Sequence, residues 1–355
     1  MAGGESITTS STRMTIADVA VAAAVHPSTV SRVLNRRGDA TIRPETRARV
    51  LAAAERLGYR PSALARSLRL RRTLTLGMLV PDITNPFFPP LIKGAEDAAR
   101  ARGYNLILCN TEDVPEREST YLGVLRERQV DGVLLATSRM TDAVIDGLRR
   151  DGFPFALVNR TSRGAGDLAV VVDNRAAATD AVGHLRSLGH RRVAHVAGPS
   201  TTTTGAERAA GAREAIGRLG LDQDPGLIVE AEAFSEAAGY RAARGLLVLP
   251  MPPTAIFGAN DLITLGALRA ARELGLTVPG DLSLIGFNDI PQAELLEPAL
   301  TTVRVPQLKM GAAAARLLIA RLENEPIPAT RIVLPTELVI RASTAAPAAR
   351  IAAVA

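Results

Sequence analysis

Two sets of residues in this sequence have the types and spacing for recognition chemistry. In the run PSTVSRVLN, Ser28, Thr29, Ser31 and Arg32 place three small hydroxyl donors and one guanidinium within five positions. Arg favours paired hydrogen bonds to phosphate or to guanine over diffuse charge. The second set is dispersed. Asp82, Asn85, Asn159, Arg160, Asp173, Asn260, Asp261, Asn288 and Asp289 each follow an apolar run of strand length, and Phe87 and Phe88 come soon after the first. Carboxylates and amides facing each other across a cleft beside flat apolar rings suit a polyhydroxy compound or a heterocycle. Asp and Asn are also favoured helix N-caps, and capping is the expected role of Asp261 and Asp289.

Bond-making chemistry lacks its usual signatures. The sequence has no G-x-x-x-x-G-K-[ST] loop, no G-x-G-x-x-G after the first apolar run, no H-E-x-x-H and no G-x-S-x-G. His26, His184, His190 and His195 show no metal-ligand spacing, and Cys109 is alone. A lone Cys excludes an intrachain disulfide and a Cys-based zinc site, and fits a reducing cytosol. His184 and His190 flank a predicted helix end, where a histidine interacts with the helix dipole. The expectation is therefore a chain that is not an enzyme and has no metal or cofactor.

The hydroxyl-rich run needs a scaffold, and the sequence around it supplies one. Ile16, Val19, Ala20 and Ala23 recur on one helical face, with Thr15 and Asp18 placed as a capping box. After a turn at Ala24 and Val25, Pro27 sits in the first turn of a second helix, where no amide donor is needed. Val30, Val33 and Leu34 form its inner face, leaving the hydroxyls and Arg32 outside. This is a helix-turn-helix shaped to enter a major groove. Pro44 opens a third helix on Val50, Ala54 and Leu57, and Gly58 ends it. Residues 14–72 hold twelve arginines against Asp18, Asp39, Glu45 and Glu55, a net charge of +8 in a chain of +6. Basicity concentrated on one small unit is the footprint of a phosphate-binding module.

From Thr73 the pattern becomes strand and helix in alternation. LTLGMLV, NLILC, GVLLA, FALV, LAVVV, RVAHVA, LIVE, AIFGA and LSLIGF are nearly continuous apolar runs separated by helical stretches. Such runs form parallel sheets covered on both faces, and nine strands divide naturally between two α/β subdomains. Pro298–Pro306 and Pro326–Pro335 are read as stretches where the chain crosses between them. The Ala-rich tail from Ser343 is read as frayed. No apolar stretch reaches membrane-spanning length and the first ten residues lack a signal-peptide pattern, so the expected location is the cytoplasm.

The motifs TIADVA, STVSRVLN, GYRPSALARSL, VPDITNPFF, DGVLLA, LGHRRVAHVAGP, ERAAGAREAI, GANDLITLGAL and VPGDLSLIGFNDI occur in that order. On them the sequence resembles the LacI/GalR family of bacterial transcriptional regulators, over nearly all of residues 14–340. The resemblance implies an all-α helix-turn-helix head and an α/β core of two parallel-sheet subdomains, similar to periplasmic sugar-binding proteins. Its expected divisions are a disordered leader (1–13), the helix-turn-helix domain (14–60), a hinge helix and linker (61–72), the effector-binding and dimerisation core (73–341) and a flexible tail (342–355). By the same resemblance Pro27, Ser28 and Arg32 read bases, and Thr29, Ser31 and Asn35 lie towards phosphates. Leu68 wedges into the minor groove, with Ser62 capping the hinge helix and Ala65 and Arg66 beside it. The effector positions are Phe88, Asn159, Arg208, Asn260 and Asn288, joined by Asp82 and Asp173. The family usually has Gly and Ser or Thr where this chain has Ala24 and His26, and sugar-responsive members often have Asp at Asn159 and Asn288. The implied partners are double-stranded operator DNA, a second copy of the chain and a small effector, with no membrane. A sugar or sugar derivative is the first choice of effector, ahead of a nucleobase or sugar phosphate. The rival readings are a nucleobase-responsive co-repressed regulator and a solute-binding protein without a DNA role.

Overall fold

The computed structural model describes residues 14–34, 42–59, 72–164 and 166–348. The chain divides into two compact units, Met1–Thr73 and Leu74–Ala355. In the first, α1 (Ile16–Ala22), α2 (Pro27–Leu34) and α3 (Pro44–Arg56) pack through Val19, Ala20, Ala23, Val30, Val33, Val50, Ala53 and Ala54. Thr15 and Asp18 form the capping box that the sequence implies, each side chain bonding the other's backbone amide. The leader 1–13, most of the 61–72 segment and 349–355 lie outside the described residues.

The second unit begins with β1 (Thr75–Val80), α4 (Phe88–Ala101), β2 (Asn105–Asn110), α5 (Pro115–Glu127), β3 (Gly132–Leu135), α6 (Ala143–Arg150), β4 (Phe155–Val158) and β5 (Leu168–Val172). It continues with α7 (Asn174–Ser187), β6 (Val193–Ala197), α8 (Thr203–Arg218), β7 (Ile228–Glu230), α9 (Glu236–Leu247), β8 (Ala255–Gly258), α10 (Asp261–Glu273), β9 (Ser283–Asn288) and β10 (Thr301–Arg304). Last come α11 (Gln307–Glu323), β11 (Arg331–Leu334) and β12 (Glu337–Val339). Among the described residues these strands make two six-stranded sheets, ordered β11-β5-β4-β3-β1-β2 and β12-β10-β9-β8-β6-β7. All nine apolar runs of the sequence are strands. The central ones are buried along their length because helices cover both faces of each sheet.

The structure corrects the end of the chain. The two Pro-marked stretches do more than cross over, since they carry β10 and β11. After β10 the chain returns to the first sheet through α11, which lies against α4, and β11 pairs with β5. It then crosses again to place β12 beside β10. That pairing is antiparallel, so the second sheet has one antiparallel edge in place of the all-parallel order expected.

Nor is the tail frayed at its start. Ser343 is buried, accepts from the Thr301 amide at 2.8 Å and donates to Leu284 O at 2.6 Å. His190 bonds Ala345 O at 2.9 Å and Ser283 Oγ at 3.0 Å, and His184 Nε2 lies 3.1 Å from Thr344 Oγ1. Burial pushes both imidazoles down toward the neutral form, so they hold the tail by hydrogen bonds and not as cations at a helix dipole. Composition gave no sign of this, because Ala-rich sequence is silent about which backbone groups find partners.

Candidate functional site

The head carries the first candidate surface. Val30 and Val33 bury the inner side of α2, and Pro27, Ser28 and Arg32 face solvent, with Thr29 and Ser31 half-buried at the edge. Ala24 has φ +50°, the left-handed backbone that explains why glycine suits this turn. His26 takes over the cap. Its Nδ1 accepts from the Ser28 amide at 3.2 Å and contacts Ser28 Oγ at 2.8 Å. Arg43, Arg49 and Arg56, at the start of α3 and along it, add exposed positive charge. Asn35, Ser62, Ala65, Arg66 and Leu68 lie outside the described residues.

The second candidate is a cavity of about 420 Å³ in the core, at the carboxyl ends of both sheets. That is where open α/β sheets bind ligands, because loops and helix N-termini converge there. The cavity brings together Asp82, Phe88, Asn159, Arg208, Asn260 and Asn288 from distant parts of the chain. Asp82 follows β1 and Asn159 follows β4 in the first sheet. Asn260 and Asn288 stand at the ends of β8 and β9 in the second, and Arg208 projects from α8. Asn159 and Asn288 have φ of +66° and +121°, a region that asparagine tolerates better than most residues. The amides thus serve the turn as well as the cavity.

Each charged group has a definite setting. Arg160 is buried, pairs with Asp113 at 2.8 Å and lies over the Phe234 ring, reaching from the first subdomain to the second. Arg208 is buried against the face of Phe287, 3.6 Å from its centroid. Its Nε donates to Asn174 Oδ1 at 2.9 Å and its Nη1 to Ala259 O at 2.6 Å. Burial pushes this guanidinium down to about 9, against the opposing pull of the Asp261 and Glu207 carboxylates. Asn260 caps α10 through Oδ1, 2.8 Å from the Ile263 amide, and its Nδ2 donates to Phe234 O at 3.3 Å.

Capping fails for both acids expected to do it. Asp261 is sealed inside the second subdomain, where it accepts from the Ile290 amide and Thr302 Oγ1, and burial pushes its carboxyl up to about 7. Asp289 pairs with Arg304 and Arg341. The cap at α10 falls one residue earlier, on Asn260.

Asp173 is not among the cavity-lining residues. It is exposed and caps α7, its Oδ1 accepting from the Ala176 amide at 2.9 Å. Conversely, Thr84, Asn110, Glu112, Asp113, Thr204, Phe234 and Ser235 line the cavity without having been singled out in the sequence. Asn110 ends the second apolar run, so the strand-end pattern applied there would have reached it and its neighbours. Phe234 had no such signal, lying in a loop past a short strand. Among the described residues no helix is long and apolar enough to cross a membrane.

Comparison with known proteins matches both parts of the chain. Residues 15–62 match the model of bacterial regulatory proteins of the lacI family, and residues 182–344 match a periplasmic binding protein-like domain. The ribose operon repressor of Halalkalibacterium halodurans is 37% identical over 330 residues, covering 93% of this chain and 97% of that protein. The structure of the transcriptional regulator CelR in complex with cellobiose is 34% identical, with a TM-score of 0.71, over 93% of this chain and 100% of that one. The lac repressor dimer bound to operator and the anti-inducer ONPF superposes with a TM-score of 0.82 at 25% identity, covering 94% and 99%. A basic helix-turn-helix and a polar two-sheet cavity, matched over nearly the whole length of such relatives, place this chain in the lacI family of bacterial regulatory proteins.

Proposed function

We propose that this regulator is a repressor that binds a palindromic operator as a homodimer and is released by a sugar. The observation that carries the sugar reading is the cavity, which sets amides, carboxylates and two guanidiniums around three phenylalanine rings. Such walls give hydrogen bonds to hydroxyls and flat apolar faces to sugar carbons. Relatives named as a ribose operon repressor and a cellobiose complex support it. Asp82, Phe88, Asn159, Arg208, Asn260 and Asn288 are assigned to the effector, and Pro27, Ser28, Thr29, Ser31, Arg32 and Asn35 to DNA. One helix-turn-helix reads only a few base pairs, so a two-fold pair is needed to specify a promoter.

In this reading residues 61–72 are the hinge, with Ser62, Ala65 and Arg66 around a Leu68 wedge that unstacks the central step of the operator. The ligand is bound and released unchanged, and the protein acts in the cytoplasm, on the chromosome. A sugar that favours one arrangement of the two subdomains shifts operator affinity by its differential binding to the two states. Fluorescence anisotropy of the full chain on its promoter palindrome, with and without D-ribose and cellobiose, tests the proposal. Specific binding weakened by one of the sugars is expected; retention that is independent of DNA sequence would overturn it.

A further inference from the structure

Past the ends of β3 and β4 the first core subdomain reaches the second. The Met140 amide donates to Thr201 O at 2.9 Å, and the Thr161 amide donates to Thr203 Oγ1 at 3.0 Å. The residue before Thr161 adds a side-chain contact. The guanidinium of Arg160 lies 5.5 Å from the centroid of the Phe234 ring, within the range of cation-π attraction, and both residues line the cavity. Phe234 has a seat for its ring. A Cβ at Gly198, just after β6, would stand 2.2 Å from Phe234 Cε1 and 2.4 Å from Cζ. The ring thus rests on bare backbone of its own subdomain and receives the guanidinium from the other.

Arg160 is itself gripped. Its Nη1 and Nη2 donate to the two carboxylate oxygens of Asp113 at 2.8 and 3.4 Å. Asp113 sits in a turn closed by the Val114 amide donating to Thr111 O at 3.0 Å, and its two central residues, Glu112 and Asp113, both have φ of +55°. That backbone normally calls for Asn-Gly. Side chains impose it here, since Glu112 pairs with Arg117 at 2.5 Å and Arg139 donates to Asp113 O. Such strain collects at clamps and switch segments, and releasing it lowers the cost of opening. The buried Nε of Arg160, which has no partner among the described residues, adds an unmet donor to the same pair.

We propose that Asp113 and Arg160 form a latch on Phe234, and that residues 231–235 are a gate which this latch holds against the cavity. The ring belongs to one subdomain and the latch to the other, so opening the gate and parting the subdomains on this flank are one event. Asp113 and Arg160 are positioning residues that set how long a bound effector stays, whatever its chemistry.

This chain has no tryptophan, so Phe234→Trp gives a single indole emission from the gate and keeps an aromatic face for Arg160. In the ligand-free full-length protein, acrylamide quenching of that emission should rise at least twofold when Asp113→Asn or Gly198→Ala is added. It should not change with Asp146→Asn, which breaks an ion pair on α6. Hydrogen exchange of the 231–238 peptide, at least threefold faster in Asp113→Asn than in the native chain, reads the same opening without the indole. Quenching that Asp113→Asn leaves unmoved or Asp146→Asn raises equally, or exchange that is no faster, overturns the latch. D-Ribose and cellobiose supply a further arm: whichever releases the operator should dissociate at least fivefold faster from Asp113→Asn in stopped flow, and an unchanged rate overturns the role in residence. If neither sugar acts, the sugar reading falls, while quenching and exchange still decide the latch.

Discussion

At Ala24 a side chain sits where the backbone wants none. Its φ of +50° is strained for alanine, by about 1 to 2 kcal/mol, whereas glycine adopts it freely but is more costly to order. Ala24→Gly should therefore stabilise the head by about 0.5 kcal/mol net of the added chain entropy, read as slower hydrogen exchange at the α1 and α2 amides. His195 makes a case in the core. It is fully buried on β6, donates from Nδ1 to Phe257 O at 2.9 Å, and burial pushes it down from 6.5 to about 4. The folded state thus prefers neutral imidazole, and its contribution is intact above pH 6.5 and lost as pH falls toward 4. The slope is about 1.4 kcal/mol per pH unit. Denaturant midpoints at pH 7 and pH 5 should differ in the native chain, and His195→Gln, which keeps a donor but does not titrate, should shrink the difference.

Helix packing sets the next scale. α4 and α11 approach so closely that a Cβ at Gly94 would stand 2.0 Å from Leu308 O, and one at Gly311 would stand 1.9 Å from Leu91 O. Gly94→Ala should then cost about 1 to 3 kcal/mol through forced separation of the two helices. Gly123, inside α5, has nothing within 4 Å of its missing Cβ, so Gly123→Ala should gain up to about 1 kcal/mol from helix propensity alone. Opposite signs in thermal melts of the two variants check the reading. The periodicities of α1, α2 and α3 were legible because a small head buries one face of each helix and leaves the other wet. The start of the tail was not. Ser343 is held by Thr301 and Leu284, and His190 and Ser283 hold Ala345, partners far away in sequence that local composition does not reveal.

For the whole molecule, the proposal separates gripping DNA from sensing a sugar. Arg208→Met removes the guanidinium from the cavity while leaving the head untouched. The variant should bind operator with near-native affinity and respond to sugar at least tenfold more weakly, as measured by anisotropy across a sugar titration. A parallel loss of operator binding would show that the two duties are not separable at this residue.

Sequence by itself determined the order of elements, the basic head and the strand ends at which polar side chains collect, because these follow from periodicity, charge and turn chemistry within a short window. It also placed Asp82, Asn159, Asn260 and Asn288 at the ends of their strands. Only the tertiary structure decided which strand ends meet. It brought Asn110, Asp113 and Phe234 to the cavity, left Asp173 outside it as a helix cap, and gave the cap of α10 to Asn260 instead of Asp261. The reason is that a cavity between two sheets is made by crossovers linking residues more than a hundred positions apart, and no local pattern records how those crossovers close.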